Sequence, residues 1–131
     1  MKSLSILVVD DEKDIRILMQ QWLTESGHAV VAAASGTAAS DAMKQRQFDL
    51  VVTDVLMPDG DGVDLINEVR TMQPATRILA ISGGGRYTEG SDYLVLAKGI
   101  GAHAAVLKPF TRQQLEQGME AAIAAQLNRE W

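Results

Sequence analysis

Cysteine is absent from this 131-residue chain. Disulfide frameworks, thiolate zinc sites and iron–sulfur clusters are therefore excluded. Positive charge is in deficit, with 12 Lys+Arg against 17 Asp+Glu and a net charge of −5. That balance argues against direct nucleic-acid binding and against an anionic membrane as the main partner. Long apolar runs are missing as well. None approaches the roughly 18 residues of a membrane span. Met1-Lys2-Ser3 leads straight into a strand-like run, so neither a signal peptide nor an anchor is expected. No internal repeat, linker or low-complexity tail interrupts the chain. The length is close to that of one domain, enough to bury roughly two thirds of the unfolded surface without staples. A single soluble, cytoplasmic domain over residues 1–131 is expected.

What is present is an alternation of short β-branched runs with amphipathic stretches. Ile6-Leu7-Val8-Val9 is too short for a helix and suits a strand buried on both faces. Ile15, Leu18, Met19, Trp22 and Leu23 follow helical spacing, with Gly27 where a helix C-terminus wants a left-handed residue. Ala29 to Ala33 forms a second strand, and Ser35 caps an Ala-rich helix running to about Gln47. Leu50 to Thr53 is the third strand, ending at Asp54. After a loop punctuated by Pro58, Gly60 and Gly62, a helix carries Leu65, Ile66, Val69 and Met72 inward and stops before Pro74. Arg77 to Ile81 makes a fourth strand, a glycine-rich loop follows, and a helix spans about Ser91 to Lys98. Ala104 to Leu107 is a fifth strand, weakened by its alanines. Thr111 with Gln114 has the form of a capping box opening a last helix with Leu115, Met119, Ala122 and Ile123 on one face. The pattern is (βα)5, an α/β fold with a doubly wound, parallel five-stranded sheet covered on both sides.

Four strands end in a polar residue: Asp10 with Asp11, Asp54, Ser82 and Lys108. In an open parallel sheet these carboxyl ends share one edge, where ligands bind. Each residue also has a plainer role. Asp10-Asp11 caps a helix as readily as it binds a ligand, Ser82 fits a turn, and Lys108 fits a solvated surface. His28 and His103 read as surface or edge residues with no partner. Trp22 and the methionines read as packing, and Gly83 to Gly85 lacks the pattern of a phosphate loop. Taken together, three carboxylates gathered at one edge repel one another unless a cation intervenes. Magnesium suits carboxylates, waters and a phosphoryl oxygen, and three acids, one Mg²⁺ and one lysine are electrically neutral. One acid as nucleophile, with the others holding a metal, accounts for the set.

Asp10-Asp11, Asp54 within the run from Asp54 to Gly62, Ser82 and Lys108-Pro109-Phe110 together resemble the receiver domain of two-component response regulators, over essentially the whole chain. The resemblance implies a flavodoxin-like strand order of 2-1-3-4-5. It implies that Asp54 is the phosphoacceptor, taking a phosphoryl group from a phosphohistidine on a sensor histidine kinase or histidine phosphotransfer protein. Asp11, Asp54 and the backbone carbonyl of Leu56 would hold Mg²⁺ (or Mn²⁺), with Asp10 acting through water. Lys108 and the Ser82 hydroxyl would contact the phosphoryl group, and the Lys108–Pro109 peptide would be cis. Phosphorylation would alter the face made by the helix near residues 91–98, the fifth strand and the last helix, where a downstream protein would bind.

The sequence also departs from the family. Ala105 stands where an aromatic residue usually precedes the lysine by three positions, and the interval from Ser82 to Lys108 is longer than usual. Tyr87 and Tyr93 are the candidates to take over the aromatic role. The chain ends at Trp131 soon after the last helix, so no output domain is expected, whether it is a stand-alone receiver or one cut from a longer protein. Two other classes fit less well. A phosphohydrolase of haloacid dehalogenase type wants an Asp two positions after its nucleophile, but Glu12 and Leu56 stand there. A phosphorylation-independent interaction module has no use for the full acidic set. The expected protein is thus not an enzyme beyond accepting a phosphoryl group and slowly hydrolysing it.

Overall fold

The computed structural model describes residues 2–55, 61–83, 99 and 101–125. The strands are β1 (Ser5–Val9), β2 (Ala29–Ala33), β3 (Leu50–Asp54), β4 (Arg77–Ser82) and β5 (Ala104–Leu107). The helices are α1 (Lys13–Glu25), α2 (Gly36–Gln45), α3 (Asp61–Met72) and α4 (Arg112–Ala124). The helix expected over 91–98 lies outside the described residues, as do Leu56, Tyr87 and Tyr93. All strand pairs are parallel, in the order β2-β1-β3-β4-β5. This is the flavodoxin-like order that the resemblance implied.

Alternation along the strands divides the core in two. Ile6, Val8, Leu50, Val52, Leu79 and Ile81 pack with Met19 and Leu23 of α1 and with Leu115, Met119 and Ala122 of α4. Leu7, Val9, Val51, Ile78 and Ala80 face the other way, onto Ala39 and Met43 of α2 and Leu65, Ile66 and Val69 of α3. Burial on both faces is why the central strands read as unbroken apolar runs. Each fully buried aliphatic side chain contributes about 2 kcal/mol from removal of apolar surface. Leu18 departs from the expected inward stripe of α1. It is exposed beside exposed Ile17, because full burial on this helix falls to Met19 and Leu23.

Local signals set the element ends. The Ser35 hydroxyl accepts the Ala38 N–H, and α2 then ends at Gln45, two residues short of expectation. Thr111 and Gln114 form the reciprocal capping box that opens α4. Gly27 takes φ +95° directly after α1, in the left-handed region that glycine enters without penalty. The alanine-rich β5 forms because α4 comes very close to it. A Cβ on Gly118 would lie 2.4 Å from Val106 Cγ2, so only glycine lets the helix cover this strand.

Candidate functional site

The strand register carries far-apart residues to one edge. Val9 pairs with Thr53, Asp54 with Ile81, and Ser82 with Leu107. Asp10 continues from β1 and donates its N–H to the Ala33 carbonyl at 3.2 Å. Lys108 continues from β5 and donates its N–H to the Ser82 carbonyl at 2.8 Å. Asp10, Asp54, Ser82 and Lys108 therefore sit at the carboxyl ends of β1, β3, β4 and β5, where ligands bind in open α/β sheets.

Their side chains form a charged cluster. Lys108 Nζ donates to Asp54 Oδ2 at 3.0 Å and to Glu12 Oε1 at 2.7 Å. It lies 3.2 Å from Asp10 Oδ2, close enough for an ion pair but not aligned as a hydrogen bond. Oxygens of Asp10, Glu12 and Asp54 all lie within 4.8 Å of one another. The Asp10 side chain is fully buried and that of Asp54 is 5% exposed, whereas Glu12 is 59% exposed. Asp10 Oδ1 accepts the Glu12 N–H at 2.9 Å, and the Asp10 carbonyl accepts from Arg16 Nη1 at 2.8 Å.

Burial pushes the Asp10 carboxyl above the usual carboxylate range. The Glu12 N–H and Lys108 oppose that rise, while the neighbouring Asp54 charge adds to it. For Lys108, burial works to lower the pKa. Hydrogen bonds to Glu12 and Asp54, with the charges of Asp54 and Asp10, outweigh it and raise the pKa above the ordinary lysine value. The ammonium is firmly charged.

The expected residues fall into three groups. Asp10, Asp54 and Lys108 are brought into contact, with Ser82 buried at the adjoining strand end. Asp11 is exposed, and among the described residues the carboxylate cluster takes Glu12 in its place. Leu56 lies outside the described residues. Sequence reasoning missed Glu12, and its available signal was position. Glu12 is the N-cap of α1, yet its side chain caps nothing and reaches Lys108 instead. The Lys108–Pro109 peptide is cis, as the resemblance implied. Phe110 follows and meets Trp22 of α1 edge-on, with centroids 6.4 Å apart and planes at 66°. Beside the cluster opens a cleft of about 680 Å³ lined by Glu12, Ile15, Leu18, Lys108, Pro109 and Phe110.

The donor set fits a hard divalent cation. Its oxygens are carboxylates, and among the described residues Asp10 Oδ2 is a buried oxygen without an aligned hydrogen-bond donor. Three carboxylates and one ammonium leave two negative charges, the complement of Mg²⁺.

Comparison with known proteins bears on this arrangement. Residues 6–120 match the response regulator receiver domain family. The DNA-binding transcriptional regulator NtrC of Azospirillum brasilense is 32% identical over 123 residues, 94% of this chain and 25% of that protein. Sporulation initiation phosphotransferase F of Bacillus subtilis is 26% identical over 123 residues, 94% of this chain and 96% of the relative. A response regulator receiver domain protein from Clostridium thermocellum superposes with a TM-score of 0.78 at 30% identity, covering 93% of this chain and 95% of that one. NtrX from Brucella abortus gives a TM-score of 0.84 at 32% identity, covering 98% of this chain and 29% of that one. The chain spans a quarter of NtrC and nearly all of the Bacillus relative. By the family match over most of its length, this chain belongs to the response regulator receiver domains.

Proposed function

We propose that this domain accepts a phosphoryl group on Asp54 and passes the signal on through changed protein contacts. The observation that carries the reading is the Asp54 carboxylate at a sheet edge, with a charged lysine at 3.0 Å and a second buried carboxylate beside it. Attack by an Asp54 oxygen on the phosphorus of a phosphohistidine forms an O–P bond and breaks the P–N bond. The electron pair and a proton remain with the departing imidazole, and an acyl phosphate is left on Asp54. A divalent cation, Mg²⁺ or Mn²⁺, would neutralise charge on the transferring group when held by Asp10, Asp11, Asp54 and the Leu56 carbonyl. Lys108 supplies a compact positive charge to a phosphoryl oxygen, and the Ser82 hydroxyl donates a hydrogen bond to another. Asp54 is almost covered, and Lys108 donates to its Oδ2 at 3.0 Å.

The donor would be a sensor histidine kinase or a histidine phosphotransfer protein. The downstream partner would be a protein meeting the face of β5, α4 and the helix expected near residues 91–98. Slow hydrolysis of its own acyl phosphate would be the only turnover. A cytoplasmic location is part of this proposal, and no helix among the described residues is long and apolar enough to cross a membrane. Incubation with acetyl phosphate and Mg²⁺, read by intact mass, should add one phosphoryl group to the wild type and none to Asp54→Asn. Labelling that survives in Asp54→Asn moves the acceptor elsewhere.

A further inference from the structure

We propose that Glu12 is a positioning residue for Lys108, drawing the ammonium to the exposed rim and so freeing the buried oxygens of Asp10 and Asp54 for a divalent cation. The inference rests on the receiver reading given above. It is carried by an asymmetry among the three contacts of Lys108. The shortest, at 2.7 Å, goes to Glu12, which is largely exposed. The longer ones, at 3.0 and 3.2 Å, go to Asp54 and Asp10, which are buried. The ammonium therefore bridges inner acids and an outer one, and among the described residues Asp10 Oδ2 is left without a hydrogen bond.

That inner pair is also where the donor set suits a cation, so Lys108 and the cation compete for the same oxygens. An ammonium with only buried partners would have to surrender them all to make room. Glu12 removes that cost, because Lys108 can pivot on its flexible stem and keep one charge-assisted hydrogen bond throughout. The negative charge of Glu12 alone would also favour a cation. The two effects differ in their dependence on Lys108, and that difference is measurable.

Binding of Mg²⁺ measured by calorimetry on the unphosphorylated full chain separates them. Glu12→Gln should weaken binding about ten-fold, in the range of coupled charged contacts. Lys108→Met should strengthen it, and adding Glu12→Gln in that background should change affinity by less than about two-fold. Equal weakening in both backgrounds, or no weakening in the Lys108 chain, overturns the proposal. Glu12→Asp keeps the charge and shortens the reach, which guards against a Lys108→Met chain that does not fold. It should bind Mg²⁺ nearly as poorly as Glu12→Gln, and wild-type affinity in Glu12→Asp overturns the proposal as well. A wild-type chain that takes up no Mg²⁺ removes the receiver reading itself, a failure distinct from these.

Discussion

The two edges of the sheet handle buried polar groups in opposite ways. At the amino-terminal edge each such group finds a neutral partner. Gln73 is buried before β4, where its Oε1 accepts the Phe48 N–H at 3.0 Å. Its Nε2 donates to the Met43 and Arg46 carbonyls at 3.0 and 2.9 Å. The Thr76 hydroxyl donates to the Phe48 carbonyl at 2.6 Å. His28 and His103 precede β2 and β5, and the Nδ1 of each accepts a backbone N–H at 3.0 Å, from Leu4 and Ile78 respectively. At the carboxyl-terminal edge three carboxylates crowd one ammonium, and among the described residues Asp10 Oδ2 has the Lys108 ion pair but no aligned hydrogen bond. Satisfied polar groups hold strands in place, whereas an unsatisfied charged one lowers stability and keeps a position open for a ligand.

Substitutions at the two edges should therefore have opposite signs, and the largest effect belongs to the satisfied side. Gln73→Ala strands the Phe48 N–H and two carbonyls, and should cost about 3 kcal/mol in urea unfolding. Phosphoryl labelling per folded molecule should stay unchanged. A loss below about 0.5 kcal/mol would mean that the network carries little. Asp10→Asn should instead stabilise the chain in EDTA by roughly 1 kcal/mol, by removing a buried charge whose ionisation is disfavoured, while abolishing tight Mg²⁺ binding. Destabilisation in EDTA would show that the Asp10–Lys108 ion pair outweighs burial.

The smallest effect is the response to acid, and it again divides the edges. Burial, with Arg77 and Arg70 nearby, lowers the His103 pKa below its usual 6.5. Stability from neutral His103 is thus fully present above about 6.5 and lost as pH falls towards the lowered folded value. Asp10 has the opposite sign. Its raised pKa contributes stability below the ordinary value of 3.8, and this is lost as pH rises through the folded value. Unfolding free energies from urea titrations should decrease as pH is lowered from 7.5 to 5.5, with a slope no steeper than about 1.4 kcal/mol per pH unit for one proton. His103→Gln should flatten that slope, and a slope unchanged by the substitution would assign it to other groups.

The sequence revealed the site where strand ends coincide with reactive side chains. Asp54 and Lys108 each close an apolar run, so the topology alone brings them to a common edge. Asp10 is ambiguous in the sequence between capping and chemistry, and in the structure it does not cap α1, whose N-cap is Glu12. Its Oδ1 takes the Glu12 N–H just before α1, while its Oδ2 faces Lys108. Glu12 could not be told from Asp11, because two adjacent acids after a strand differ only in the backbone turn that aims them. The histidines show no partner in the sequence because their partners are backbone N–H groups, which carry no side-chain signature. Strand β5 looks weak in the sequence because its alanines carry little strand propensity, while the close approach of α4 that Gly118 allows shows only in the packing.

The edge-on stacking of Trp22 against Phe110 gives the domain an optical handle of its own. Phe110 lies two residues beyond Lys108, so a displacement of that backbone moves an aromatic ring relative to the indole. With Trp131 replaced by Phe, Trp22 becomes the sole indole of the chain. Its emission would then follow the lysine loop in real time, without any attached dye.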